Sequence, residues 1–221
     1  MRHGSVDYFR PDGTAIPPHD VPLNALGCEQ ADAAGRLIAE AGLRFDRVLC
    51  SGLPRTVQTA QRVLQAAGQD LPLEVDPRLQ EIRPGRLSEI APADVEQAFL
   101  GAFSAGADVE QHRFLGGESV GELLDRVLPA FDELLCSPGW QQLLLVLHGG
   151  VNRALLARAL TGGRAFFGRI EQTPACINLI DVGAGDIVVR AVNLAPTQWL
   201  HQHERHTTME KLLMQYLRLQ D

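Results

Sequence analysis

The sequence predicts an α/β fold built on a mainly parallel sheet, and three observations carry that expectation. Phe45 to Cys50 (FDRVLC) is a short apolar strand that turns through Ser51-Gly52-Leu53-Pro54 into a helix running from Arg55 to Ala67. Leu143 to Leu147 (LLLVL) is an unbroken apolar run, the composition of a strand covered on both faces, and His148-Gly149-Gly150 leads it into a helix over 151–161. Strand and helix alternate, which is the pattern of crossover-connected sheets. With 221 residues, 45% of them hydrophobic, the chain suits one soluble domain with its own core.

The remaining elements follow in order. Residues 5–22 (SVDYFRPDGTAIPPHDVP) are rich in Pro, Asp and Gly and read as a loop. A loop leaving a catalytic segment lines the site, so Tyr8 and Arg10 are candidate substrate contacts; plain surface residues are the equal alternative. Asn24 is placed to cap a helix whose apolar side is Ala31, Ala34, Leu37, Ile38 and Ala41, and Gly42 closes it. Leu73 to Val75 fits an edge strand. Residues 88–116 interrupt the alternation and read as a small helical insertion over the site, starting at Pro92 with Val95, Ala98, Phe99, Ala102 and Phe103 as its stripe. Ser119 or Glu118 then starts a long helix through Leu135. Ile177 to Val182 and Ile187 to Asn193 fit a hairpin through Gly183-Ala184-Gly185-Asp186, and Met209 to Leu219 an amphipathic helix.

Chemistry concentrates at Met1-Arg2-His3-Gly4. Arg2 offers a planar fork of donors that matches phosphoryl oxygens, and His3 a ring nitrogen able to act as a nucleophile at neutral pH. Gly4 lets backbone approach a ligand. Arg55 stands at a strand-to-helix turn, where anions bind in α/β sheets, although a lone arginine there can equally be solvated. His148 and Gly149 form a second corner of the same kind. Glu81, between apolar neighbours, could be a proton donor favoured by partial burial or a salt-bridged surface carboxylate.

Other features bound the reading. Twenty basic against 27 acidic residues give a net charge of -7, which argues against nucleic acid or an anionic membrane as partner. No stretch approaches a membrane span, and no secretory leader is visible. Cys28, Cys50, Cys136 and Cys176 are far apart and read as buried reduced thiols of a cytoplasmic protein. His201, His203 and His206 form an HxHxxH run, read as a solvated turn rather than a metal site.

Four fragments stand in order: RHG (2–4), SGLPRTVQTA (51–60), LQEIRPG (79–85) and LHGG (147–150). With LNALGCEQA (23–31) and GGES (116–119) they resemble the histidine phosphatase superfamily, the phosphoglycerate mutase-like proteins. The resemblance implies a three-layer α/β/α sandwich forming a single domain over 1–221. It implies His3 as the nucleophile that becomes phosphohistidine, and Arg2, Arg55 and His148 as the phosphoryl cradle. Glu81 would be the acid for the leaving oxygen and the base for water. No cofactor and no metal are expected. The substrate expected is a small phosphorylated metabolite, and a homodimer is left open.

Three departures stand out. The apolar strand that usually precedes RHG is largely missing, so the expectation is a native chain starting upstream of Met1. Ser5-Val6 replace the usual threonine contact, and the residues around Arg86 to Ile90 differ from the pattern after the acid. The expected activity is a metal-independent phosphomonoesterase. A cofactor-dependent phosphoglycerate mutase and a non-catalytic phosphate-binding protein are the alternatives.

Overall fold

The computed structural model describes residues 1–101, 103, 108–198 and 206–218. Strands β1 (Arg47–Cys50), β2 (Leu73–Val75) and β3 (Leu143–Val146) form a parallel sheet in the order β2-β1-β3. Side chains alternate across a strand, and here the alternation sorts the core in two. Val48, Cys50, Leu144 and Val146 pack with helices α1 (Ala25–Glu40) and α2 (Pro54–Ala66). Leu49, Leu143, Leu145 and Leu147 join the opposite core, which holds α4 (Val120–Cys136) and α5 (Gly149–Thr161). The result is the expected helix–sheet–helix layering.

Met1 to His3 continue the sheet beside the end of β3. Leu147 N–H donates to Met1 O at 2.9 Å and His3 N–H to Leu147 O at 3.0 Å, with Arg2 opposite Leu147 in parallel pairing. On the other side Arg2 N–H donates to Cys176 O and Ala175 N–H to His3 O, both at 3.0 Å. This pairing on two sides fixes where the Arg2 and His3 side chains leave the backbone. Ala175 and Cys176 then run into the antiparallel hairpin β4 (Ile177–Val182) and β5 (Ile187–Leu194).

Local chemistry explains the helix ends. Asn24 Oδ1 accepts from Gly27 N–H at 2.8 Å and starts α1. Ser119 caps α4 in a reciprocal pair with Glu122, at 3.1 and 2.7 Å. The loop after His3 lies directly on α1: a Cβ on Gly4 would fall 2.4 Å from Gly27 O, and one on Gly27 would fall 2.1 Å from Ser5 O. Only glycine at both positions permits that approach.

The 88–116 segment forms short turns and α3 (Val95–Leu100), and it is anchored through Val95, Phe99 and Phe114 in the α4–α5 core. Ala102 lies outside the described residues. The C-terminal helix α6 (Thr208–Leu217) packs on α3 through a core that includes Leu213; Leu219 lies outside the described residues, as do His201 and His203. The cysteine expectation needs correction. Cys50 and Cys176 are buried, but Cys28 is half-buried and Cys136 exposed, because the last residue of α4 falls off its apolar face. Among the described residues no helix is long and apolar enough to cross a membrane.

Candidate functional site

The site grows from strand ends. His3 leaves the sheet beside Leu147, and His148 follows at the point where β3 turns into α5. The two rings meet edge to face with centroids 5.2 Å apart. His3 is 2% exposed and His148 0%. His3 Nδ1 lies 2.7 Å from Gly4 O. A carbonyl oxygen only accepts, so Nδ1 carries the hydrogen and Nε2 keeps its lone pair.

His148 is oriented by a hydroxyl chain from the first corner. Its Nε2 is 2.7 Å from Ser51 Oγ, which is 3.0 Å from Thr56 Oγ1. Thr56 donates its hydroxyl to Leu53 O at 2.8 Å. With that proton committed, Thr56 accepts from Ser51, and Ser51 accepts from the Nε2–H of His148. Nδ1 of His148 is therefore the free nitrogen; it is buried and unpartnered among the described residues, as are Nε of Arg2 and Nε of Arg55. Burial foremost, then the charges of Arg55 and Arg2, hold His3 well below its usual value of 6.5. Burial, Arg55, His3 and Arg2 do the same to His148. Both imidazoles are neutral without an anion.

Glu81 stands over the start of α5. Gly150 N–H donates to its Oε2 at 3.0 Å and Ile82 N–H to its Oε1 at 3.0 Å. A Cβ on Gly150 would lie 2.5 Å from Glu81 Oε1, so the glycine makes room for the carboxylate. Arg126, on α4, holds the Glu81 segment by its carbonyls: Nη2 donates to Glu81 O at 2.9 Å and Nη1 to Gln80 O at 2.6 Å. Its charge is balanced by Glu118, 2.7 Å away.

Of the residues singled out in the sequence, His3, His148, Arg2 and Arg55 form one buried cluster, with Gly4 and Gly149 in its backbone and Glu81 alongside. Tyr8 is half-buried. Arg10 is exposed in a small hairpin turn, and neither bonds a side chain of the cluster among the described residues. The loop contributes elsewhere, through Pro18 O, which accepts from Arg55 Nη1 at 2.7 Å. Sequence reasoning passed over Ser51, Thr59, Gln172, Arg126 and Arg153. Ser51 and Thr59 stood in the SGLPRTVQTA fragment, and the hydroxyl pattern was the available signal. Gln172 reaches Arg2 through its carbonyl oxygen, which any residue type supplies, so no signal marked it. Arg153 is buried beside Arg2, donating to Ile170 O at 2.7 Å and standing 3.6 Å from Glu171.

The sequence profile of the histidine phosphatase superfamily (branch 1) matches residues 1–195. The adenosylcobalamin/alpha-ribazole phosphatase of Escherichia coli K12 is 29% identical over 194 residues, covering 87% of this chain and 93% of that protein. A 2,3-bisphosphoglycerate-dependent phosphoglycerate mutase of a Methylobacterium species is 33% identical over 144 residues, covering 62% of this chain and 68% of that protein. Among solved structures, the alpha-ribazole phosphatase of Shigella flexneri superposes with a TM-score of 0.69 at 28% identity, covering 87% of this chain and 94% of that one.

Proposed function

This chain belongs to the histidine phosphatase superfamily, branch 1, and on that premise we propose that it hydrolyses a small phosphate monoester through a phosphohistidine on His3, with no metal. The observation that carries the reading is the convergence of one nucleophilic lone pair with unpaired arginine donors and with an imidazole nitrogen that becomes a donor on protonation. Nε2 of His3 is freed by the Nδ1 bond to Gly4 O. The buried Nε atoms of Arg2 and Arg55 and Nδ1 of His148 stand unpartnered nearby among the described residues.

Phosphoryl transfer spreads charge over the equatorial oxygens, so fixed donors around the phosphorus do most of the catalysis. His3 Nε2 attacks phosphorus in line, and the bond to the ester oxygen breaks. Glu81, protonated, gives its proton to that oxygen, and the alcohol leaves. Water then attacks the phosphohistidine and loses a proton to the Glu81 carboxylate. The P–N bond breaks, and inorganic phosphate and neutral His3 are restored. His148 takes up a proton when the anion arrives, since the anion's charge offsets the burial and the arginine charges that together hold the ring neutral.

Two features favour the hydrolase over the mutase. The 88–116 segment holds no tyrosine and no lysine, so it does not supply the basic, tyrosine-bearing segment expected beside the acid of a mutase. The alpha-ribazole phosphatase of E. coli, matched over most of its length, carries a hydrolase name. The test is release of inorganic phosphate from p-nitrophenyl phosphate. Wild type should turn over in a chelator, orthovanadate should inhibit, and His3→Ala should lose at least about a thousandfold in kcat. Interconversion of 3- and 2-phosphoglycerate without phosphate release would overturn the hydrolase reading, and unchanged turnover by His3→Ala would overturn the mechanism.

A further inference from the structure

We propose that Thr208, the first residue of α6, is a positioning residue for Arg2, and that the C-terminal helix is thereby part of the active site. The inference rests on Arg2 holding the phosphoryl group, as argued above. It concerns a segment beyond residue 195, where the match to the family profile ends.

The contact is specific in direction. Arg2 Nη1 donates to Thr208 Oγ1 at 2.7 Å and also to Gln172 O. Thr208 Oγ1 in turn donates to Glu171 Oε1 at 3.1 Å. A guanidinium only donates and an ionised carboxylate only accepts, so a hydroxyl is the group that can stand between them. Both bonds are charge-assisted and fix the plane of the Arg2 fork. With Nη1 held, Nε is left toward the start of α5, 3.6 Å from where a Cβ on Gly149 would sit.

The helix does not need this hydroxyl for itself. Thr207 is the N-cap, accepting from Glu210 N–H at 3.3 Å while Glu210 accepts from Thr207 N–H at 2.6 Å. Thr208 is thus free of the capping role and directed at Arg2. The helix is seated through Tyr216, whose ring lies 6.0 Å from Phe9 of the loop after His3 and 5.7 Å from Phe99 of α3. Leu213 is buried beneath it. Docking of α6 and alignment of Arg2 are therefore one event.

The experiment uses the full chain and compares Thr208→Val with Thr208→Ser. Thr208→Val keeps the shape and the cap but removes the hydroxyl. We expect it to lower kcat/KM for p-nitrophenyl phosphate about tenfold or more and to weaken orthovanadate inhibition in parallel, which corresponds to one charge-assisted hydrogen bond. Thr208→Ser should stay within about twofold of wild type. In an Arg2→Ala background, Thr208→Val should add nothing, because its effect runs through Arg2. Wild-type kinetics in Thr208→Val, a loss that repeats in full in the Arg2→Ala background, or a loss that serine does not restore would each overturn the proposal. Failure of the functional reading looks different: the wild-type protein then releases no phosphate, while its orthovanadate affinity, measured by calorimetry, still reports whether Thr208→Val disturbs Arg2.

Discussion

Two strand–turn–helix corners meet at the Ser51–His148 hydrogen bond, and they use their polar groups differently. The corner after β1 presents side chains. Arg55 on the first turn of α2 supplies charge, Ser51 and Thr56 orient His148, and Thr59 accepts from Gly4 N–H at 3.1 Å. The corner after β3 presents the His148 ring and then backbone. Gly149 and Gly150 open α5, and the Gly150 N–H binds the carboxylate of Glu81 rather than standing free for an anion. In sequence both corners looked like phosphate sites. Side chains of both corners meet in the buried cluster, and the backbone of the second also holds Glu81, the proposed acid.

The sharpest way to break this contrast is Gly150→Ala. The new Cβ would lie 2.5 Å from Glu81 Oε1, and the end of that side chain can swing away. Alanine suits a helix better than glycine by about 1 kcal/mol, so stability should hold or rise. Catalysis should not: displacing the acid should remove on the order of a hundredfold in kcat. The loss should be larger for phenyl phosphate than for p-nitrophenyl phosphate, whose leaving oxygen needs a proton less. Equal losses on both esters, measured with a normal melting curve, would show that the Gly150 N–H and Glu81 do not serve the leaving group.

Much of this arrangement was legible beforehand, for a physical reason. Phosphate chemistry needs particular side chains at strand ends, and RHG, SGLPRTVQTA and LHGG each place one there. The layered fold followed from the apolar β1 and β3 runs. Asn24 and Ser119 announced their helices because capping is local. What stayed hidden depends on long-range packing. Pro18 O and Gln172 O act through backbone atoms, which carry no residue signature. Arg126 and Thr208 come from distant helices. Tyr8 and Arg10 were chosen by proximity in the chain to His3, but the tight seat of Gly4 on Gly27 is followed by a hairpin turn that leaves Arg10 exposed.

The two histidines sharpen the comparison through pH. Both lie well below 6.5 in the folded chain, chiefly through burial and then the nearby arginines. The unfolded chain therefore binds protons first as pH falls, and it does so on both rings. Stability should be complete above about 6.5 and should decline as pH drops below it toward the folded values. Chemical denaturation at pH 7.5, 6.5 and 5.5, the levels being about one unit apart, checks the trend. Imidazole NMR signals of His3 and His148 should remain those of neutral rings below 6.5. Added orthovanadate should protonate Nδ1 of His148 alone, since the Nε2 lone pair of His3, left free by the Nδ1 bond to Gly4 O, is taken up by the vanadium. A stability flat across this range would mean that neither burial nor the nearby arginines depress the two rings.

The smallest effect concerns how the nucleophile is tied to the β1 corner. Thr59 Oγ1 accepts from Gly4 N–H and donates to Arg55 O at 2.7 Å. Thr59→Val keeps the volume but leaves the buried Gly4 N–H unpaired, which should cost about 1–3 kcal/mol in stability. Thr59→Ser should recover most of that. Because Gly4 O, not Gly4 N, sets the His3 tautomer, kcat should change less than in Gly150→Ala. Guanidinium melts with an unchanged slope would locate the effect in the native state. A large fall in kcat with little loss of stability would instead make Thr59 part of the catalytic alignment and shift the weight of the site toward the β1 corner.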